Sequence, residues 1–187
     1  MGIQFEKGKP YEGVLRVKLT TPQIVYVSSR DENGTILAEK GYQINGNGSY
    51  EKVSFELVPD KTANNGSFGI ALKEKGTISL GFAFLQPGEW GRVKGYPLRK
   101  TFVDALKKQG IKSFRYNGSM VDVGADTHLY RWKKMIGPID ERRVTLRTGF
   151  NLYATHSFGF IEMLQAAEVV GAVAIIGMSM DESYEDM

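Results

Sequence analysis

Cysteine is absent from the 187 residues, and histidine occurs only at His128 and His156. The first absence excludes disulfides and thiolate metal sites. The second leaves a zinc site dependent on both imidazoles plus a carboxylate, and their spacing gives no support for one. Neither a metal nor a cofactor is expected. No apolar run approaches the roughly 20 residues that span a bilayer. The opening Met1-Gly2-Ile3-Gln4 lacks the basic-then-apolar order of a signal peptide. No membrane partner is expected, and the compartment stays open. Excess charge is also scarce. The net charge is +3 and the isoelectric point lies near 9.0. The lysines are scattered among acids, whereas nucleic-acid binding wants a clustered basic stripe, so no nucleic-acid partner is expected. A Gly-x-Ser-x-Gly nucleophile elbow is missing too.

What is present is an ordinary globular composition, 42% hydrophobic and 24% charged, divided into two halves with different periods. Up to about Gln86 the pattern alternates. Leu15, Val17 and Leu19 alternate with Val14, Arg16 and Lys18, and Val25 and Val27 with Tyr26 and Ser28. Val53, Phe55 and Leu57 alternate with Lys52, Ser54 and Glu56. Phe68, Ile70 and Leu72 follow, then Ile78, Leu80, Phe82 and Phe84. Strands with one buried face read this way. Asn33-Gly34, Asn47-Gly48 and Asn65-Gly66 are read as the hairpin turns between them. These three sites and Asn117-Gly118-Ser119 also match the glycosylation sequon. The expectation is a β-sandwich over residues 1–86, jelly-roll-like and partial.

Residues 87–187 are read as a second domain, in which the period becomes helical after Pro97. Leu98, Phe102, Ala105, Leu106 and Gln109 are placed along one helix that Gly110 ends. A strand follows at Ile111–Tyr116, then a loop from Asn117 to about Thr155. A second helix is expected with Ser157 as its cap and Phe160, Ile161, Leu164 and Ala167 on its inner side, closed by Gly171. The run Val173-Ala174-Ile175-Ile176 reads as a parallel strand buried on both faces. This is βαβ grammar. Two parallel strands alone make no stable sheet, so both ends of the chain are expected to fall inside domains. The alternative is a small α+β domain whose helices cover the sandwich.

Working residues of parallel α/β folds sit where strands run into loops. Here those edges are Arg115–Met120 and Gly177–Glu182, and their small residues serve equally well as turns. Asp122, Asp126, Asp181 and Glu182 could form a carboxylate pair for sugar hydrolysis on paper. Helix caps and solvated surface are the simpler reading of them. Trp90, Trp132, Tyr130, Phe150 and Tyr153 are aromatics suited either to lying against a sugar ring or to plugging a loop.

Several segments, in order, resemble the α-L-arabinofuranosidases of glycoside hydrolase family 51. They are Arg99–Leu106, Phe114–Met120, Tyr130–Pro138, Glu141-Arg142-Arg143 and Phe158–Leu164. The Trp132-to-Pro138 loop is the most telling. More weakly, Lys7–Gly13 and Tyr50–Leu57 resemble strands of the sandwich that plant-type members carry. The resemblance implies a carbohydrate-binding-like sandwich followed by the opening part of a (β/α)8 TIM barrel. It implies a retaining hydrolase of α-L-arabinofuranosides, with an arabinose-containing polysaccharide or oligosaccharide as partner and a secreted or periplasmic parent protein. It places the family's acid/base and nucleophile glutamates beyond Met187, so no catalytic residue is assigned in this chain. They would then be supplied in the same chain or by a partner, an oligomer or a completing chain being the expected forms of that partner.

The same resemblance assigns part of the sugar pocket to Asn117, Ser119, Met120 and Phe150. All four depart from the family's common residues, and a methionine at 120 cannot make the hydrogen bond of an asparagine side chain. The identity of the sugar is therefore open. The rival reading is a non-catalytic carbohydrate-binding or scaffold protein.

Overall fold

A computed structural model describes residues 2–116, 135–142, 144–147 and 152–176. Its contacts divide the chain into two units, Met1–Gly91 and Arg92–Met187.

The first unit is built from seven strands: β1 (Ile3–Phe5), β2 (Tyr11–Lys18), β3 (Gln23–Arg30), β4 (Ile36–Ile44), β5 (Glu51–Leu57), β6 (Ala63–Leu72) and β7 (Ser79–Pro87). They form two antiparallel sheets, ordered β1-β6-β3-β4 and β5-β2-β7. The alternation seen in the sequence is what makes the sandwich. Leu15, Val17, Val53, Phe55 and Leu57 point inward from one sheet, and Val25, Val27 and Ile44 from the other; all eight are buried in one core. Each fully buried aliphatic side chain there contributes about 1.5–3 kcal/mol. The rings of Phe55 on β5 and Phe68 on β6 stack with centroids 5.5 Å apart, tying one sheet to the other.

Of the three expected hairpin turns only Asn33-Gly34 joins paired strands, β3 and β4; Asn47-Gly48 links β4 to β5 of the other sheet. Gly34, between β3 and β4, takes φ +84°, and Gly48, between β4 and β5, takes φ +78°. The Asp31 carboxylate accepts hydrogen bonds from the Asn33 and Thr35 amides and fixes the first of these turns. Asn65-Gly66 is not a turn: it lies inside β6, with Gly66 opposite Ile3. Glycine is needed there for space, because a Cβ would come within 2.3 Å of the Arg30 carbonyl oxygen and 2.8 Å of the Phe5 ring.

The expected single face of Ile78, Leu80, Phe82 and Phe84 is also corrected. The register between β2 and β7 shifts at Arg16/Val17, so Leu80 lies opposite Val17 while Phe82 lies opposite Arg16. One extra residue in a strand turns its side chains to the other face. Ile78 and Leu85 therefore pack on the core. Phe82 and Phe84 sit opposite Arg16 and Val14 and stack on each other, with centroids 6.3 Å apart. β7 is the last strand of its sheet, and Leu80 is half exposed.

The second unit contains α1 (Lys100–Lys108), β8 (Ser113–Tyr116), a 3-10 turn (Ile139–Glu141), β9 (Thr145–Arg147), β10 (Leu152–Ala154), α2 (Phe160–Val170) and β11 (Val173–Ile176). Strands β8 and β11 pair in parallel, Val173 opposite Ser113 and Ile176 opposite Tyr116. With α2 between them and packed on both, they form a βαβ unit. The 117–155 stretch, expected as loop, also holds the 3-10 turn and the antiparallel β9–β10 pair.

Helix phases differ from expectation. In α1 the buried residue is Val103, and Phe102 is half exposed. Leu98 precedes the helix and joins Val103, Ala166 and Val169 in the core of this unit. In α2 the cap is Gly159, not Ser157, whose hydroxyl bonds Thr155 Oγ1 instead. The buried stripe of α2 is Met163, Ala166, Ala167 and Val169, and of the predicted inner residues only Ala167 belongs to it. Gly110 (φ +71°) and Gly171 (φ +78°) end the two helices as expected. Finally, β11 is not buried on both faces. Val173 is 66% and Ile175 49% exposed, because α2 covers only one face of the parallel pair.

Candidate functional site

The four residues assigned to a sugar pocket, Asn117, Ser119, Met120 and Phe150, lie outside the described residues. So do Asp122, Asp126, Asp181, Glu182, His128, Tyr130 and Trp132. Among the described residues no group of three or more His, Cys, Asp or Glu side chains is placed to hold a metal ion.

The remaining candidates resolve clearly. Trp90 is a plug of the first unit. Its indole nitrogen donates to the Pro10 carbonyl at 2.7 Å, and its ring meets Tyr11 edge-on at 5.6 Å. Tyr153 on β10 is 75% exposed. His156 is buried, and its backbone is left-handed at φ +55°. A non-glycine residue held there is uncommon, and its carbonyl shows what holds it: Arg142 Nη1 donates to that oxygen at 2.8 Å.

Arg142 is the centre of the best-defined polar cluster. Its Nη2 and Nη1 donate to Glu162 Oε1 and Oε2 at 2.7 and 3.0 Å. Nη2 and Nε both reach the Gly137 carbonyl, at 2.9 and 3.1 Å. Together with the bond to His156, these use all five guanidinium donors. The side chains are only 4% and 9% exposed. Glu162 also accepts from the Gly159 amide at 2.8 Å and so caps α2. Burial pushes the Glu162 carboxyl upward, but the bonds from Arg142 and Gly159 outweigh it and hold the carboxyl below its ordinary value. With its oxygens engaged, Glu162 is no general acid or base. The cluster is a staple that joins the 137–142 segment, the turn at His156 and the start of α2.

The staple links three of the segments that carried the family resemblance, Tyr130–Pro138 through Gly137, Glu141-Arg142-Arg143 and Phe158–Leu164. Reasoning on local pattern passed over it. Glutamate at the third position of a helix is a recognisable capping signal, but an arginine 20 residues upstream carries no local mark of its partner.

Comparison with known proteins bears on the same stretch. Residues 105–186 match the family described as α-L-arabinofuranosidase 1 domain. A curated relative, α-L-arabinofuranosidase 1 of Arabidopsis thaliana, is 24% identical over 189 residues, covering 99% of this chain and 28% of its own length. A solved structure, the arabinose-bound MgGH51 α-L-arabinofuranosidase, superposes with a TM-score of 0.79 at 22% identity, covering all of this chain and 31% of that one. The chain thus spans under a third of either relative. The fold is that of the matching region of the solved structure, and the similarity of residues 105–186 to the α-L-arabinofuranosidase 1 domain agrees with the resemblance seen in the sequence.

Proposed function

We propose that this chain supplies the sandwich and the opening β/α units of a retaining α-L-arabinofuranoside hydrolase acting on arabinose-containing glycans. The observation that carries the reading is the overlap of the family match at 105–186 with the parallel β8–α2–β11 unit. Further barrel strands would bury the half-open face bearing Val173 and Ile175 and complete a (β/α)8 barrel, since parallel sheets are covered on both faces. Asn117, Ser119 and Met120 follow directly on β8, at the strand end where barrel enzymes place their sites. With Phe150 they would wall one side of the sugar. Retaining hydrolysis needs an acid/base and a nucleophile about 5–5.5 Å apart. In this reading both belong to barrel segments outside this chain, in one longer polypeptide or in a partner.

The test is a nitrophenyl arabinofuranoside assay on this chain by itself and on a version extended through the remaining barrel. Turnover by the extended protein alone is the expected result. Turnover by the 187-residue chain would overturn the placement of the catalytic carboxylates.

A further inference from the structure

Asparagine is followed by glycine at Asn33, Asn45, Asn47, Asn65 and Asn117. Such a pair has a chemistry of its own. The glycine amide nitrogen can attack the asparagine side-chain carbonyl carbon, and glycine has no Cβ to hinder the approach. Four of the pairs lie in the sandwich, and Asn117 lies outside the described residues. The four sandwich asparagines are all exposed, so access to water does not separate them. What separates them is how each carboxamide is held.

Three of the four are restrained, each in a different way. Asn45 Nδ2 donates to Glu51 Oε2 at 2.7 Å, and the Asn45 backbone amide donates to Glu51 Oε1 at 2.9 Å. Asn47 Oδ1 accepts from the Ser49 amide at 2.9 Å, and the Gly48 amide, the attacking group there, donates to the Leu19 carbonyl at 2.9 Å. Asn65 lies within β6, which is paired with β1 on one side and β3 on the other. A Cβ on Gly66 would come within 2.3 Å of the Arg30 carbonyl oxygen, so the backbone there is closely packed. Asn33 is different. It sits in the turn between β3 and β4, and its carboxamide has no hydrogen-bond partner among the described residues; only its backbone amide is bonded, to Asp31 Oδ1. A Cβ on Gly34 would meet nothing within 4 Å. The Gly34 amide donates to the Asp31 carbonyl at 3.1 Å, a bond local to the same turn.

We propose that Asn33 is a site of spontaneous deamidation, the first of these four to react. The Gly34 amide gives its proton to a solvent base, and its nitrogen bonds to Asn33 Cγ. The Cγ–Nδ2 bond breaks, and that nitrogen leaves as ammonia with a proton from water. Water then opens the succinimide ring at either carbonyl, giving aspartate or isoaspartate. Each product adds one negative charge to the turn. Isoaspartate also lengthens the main chain by one carbon between residues 33 and 34. The Asp31 carboxylate, which accepts from both the Asn33 and Thr35 amides, then loses the geometry that lets it hold the two together. The inference is independent of the hydrolase reading.

Incubation of the full chain at mildly alkaline pH, followed by peptide mapping, tests this. Mass spectrometry reads the exchange of an amide NH2 for OH at each asparagine, with fragmentation to separate Asn45 from Asn47. Asn33 should convert about fivefold faster than each of the other three, the factor that one hydrogen bond is worth. In guanidinium chloride, where the restraints are gone, its lead should disappear. Glu51→Ala should raise the Asn45 rate about fivefold and leave Asn33 unchanged, with circular dichroism confirming that the variant folds. The proposal is overturned if Asn33 converts no faster than Asn45, Asn47 or Asn65 in the folded chain. It is also overturned if Asn33 keeps its lead in guanidinium chloride, which would assign the order to neighbouring residues in the sequence, or if folded Glu51→Ala leaves Asn45 as slow as before.

Discussion

Removing the guanidinium of Arg142 is the sharpest perturbation the second unit offers. In Arg142→Met the methionine fills part of the space, but the Glu162 carboxylate, 9% exposed, keeps only the Gly159 amide as a side-chain partner of those described above. The Gly137 and His156 carbonyls lose their donors as well. Breaking a buried ion pair on one side costs about 3–5 kcal/mol, most of it the stranded charge. At 1.4 kcal/mol per tenfold, that is roughly a hundredfold to a few thousandfold in the equilibrium for local opening. Hydrogen exchange of peptides covering 159–170 reads this directly, up to the limit set by global unfolding of the unit. Peptides from β3, in the other unit, serve as the internal reference and should not change. The double variant Arg142→Met/Glu162→Leu should recover most of the loss, since an apolar pair strands nothing. If the single variant shifts α2 protection by less than threefold, or the double variant is worse than the single, the stranded-charge account is wrong.

Acid should act on the same cluster. The Glu162 carboxyl is depressed when folded, so its contribution is complete above the ordinary value of about 4.3 and is lost as pH falls through the lower folded value. Protection of α2 should decline as pH falls below about 4.3, and Glu162→Gln should flatten that part of the profile. In the sandwich, Gly66→Ala should lower the melting midpoint of the first unit, costing about 1–3 kcal/mol, because its Cβ would meet the Arg30 carbonyl and Phe5. Gly48→Ala meets no atom within 4 Å and should cost no more than about 1 kcal/mol, from its positive φ alone; equal losses at the two sites would refute the crowding argument. Val173→Thr, at a position 66% exposed, should change stability of this chain by less than about 0.5 kcal/mol. In a protein extended through the remaining barrel the same change should cost clearly more, and thermal melts of both forms check it.

The sandwich was legible because a half-buried strand writes its period into the sequence. The alternation around Leu15 and Val53 names the inward residues directly. It failed at two places where a neighbour, not the strand itself, decides. Gly66 is glycine because Arg30 and Phe5 press on it from other strands, so an Asn-Gly pair that looks like a turn is a crowded strand position. The register shift opposite Arg16/Val17 is likewise invisible along β7 alone. The phase of α2 was missed because its Gly159 cap depends on Glu162, and Glu162 in turn on Arg142. The expected pocket residues Asn117, Ser119, Met120 and Phe150 rest on family resemblance alone and lie outside the described residues.

Strand β7 closes one side of its sheet with the sequence Ser-Leu-Gly-Phe-Ala-Phe-Leu-Gln-Pro. It carries no charge anywhere along its length, and natural edge strands ordinarily use lysine or an inward charge to repel strangers. An edge that pairs with β2 alone among the described strands, beside Phe82 and Phe84, is a template for any extended chain with the same character, another molecule of this protein included. Concentrated preparations will therefore be prone to strand-to-strand association through residues 79–87, and a single lysine in place of Ala83 is the direct remedy.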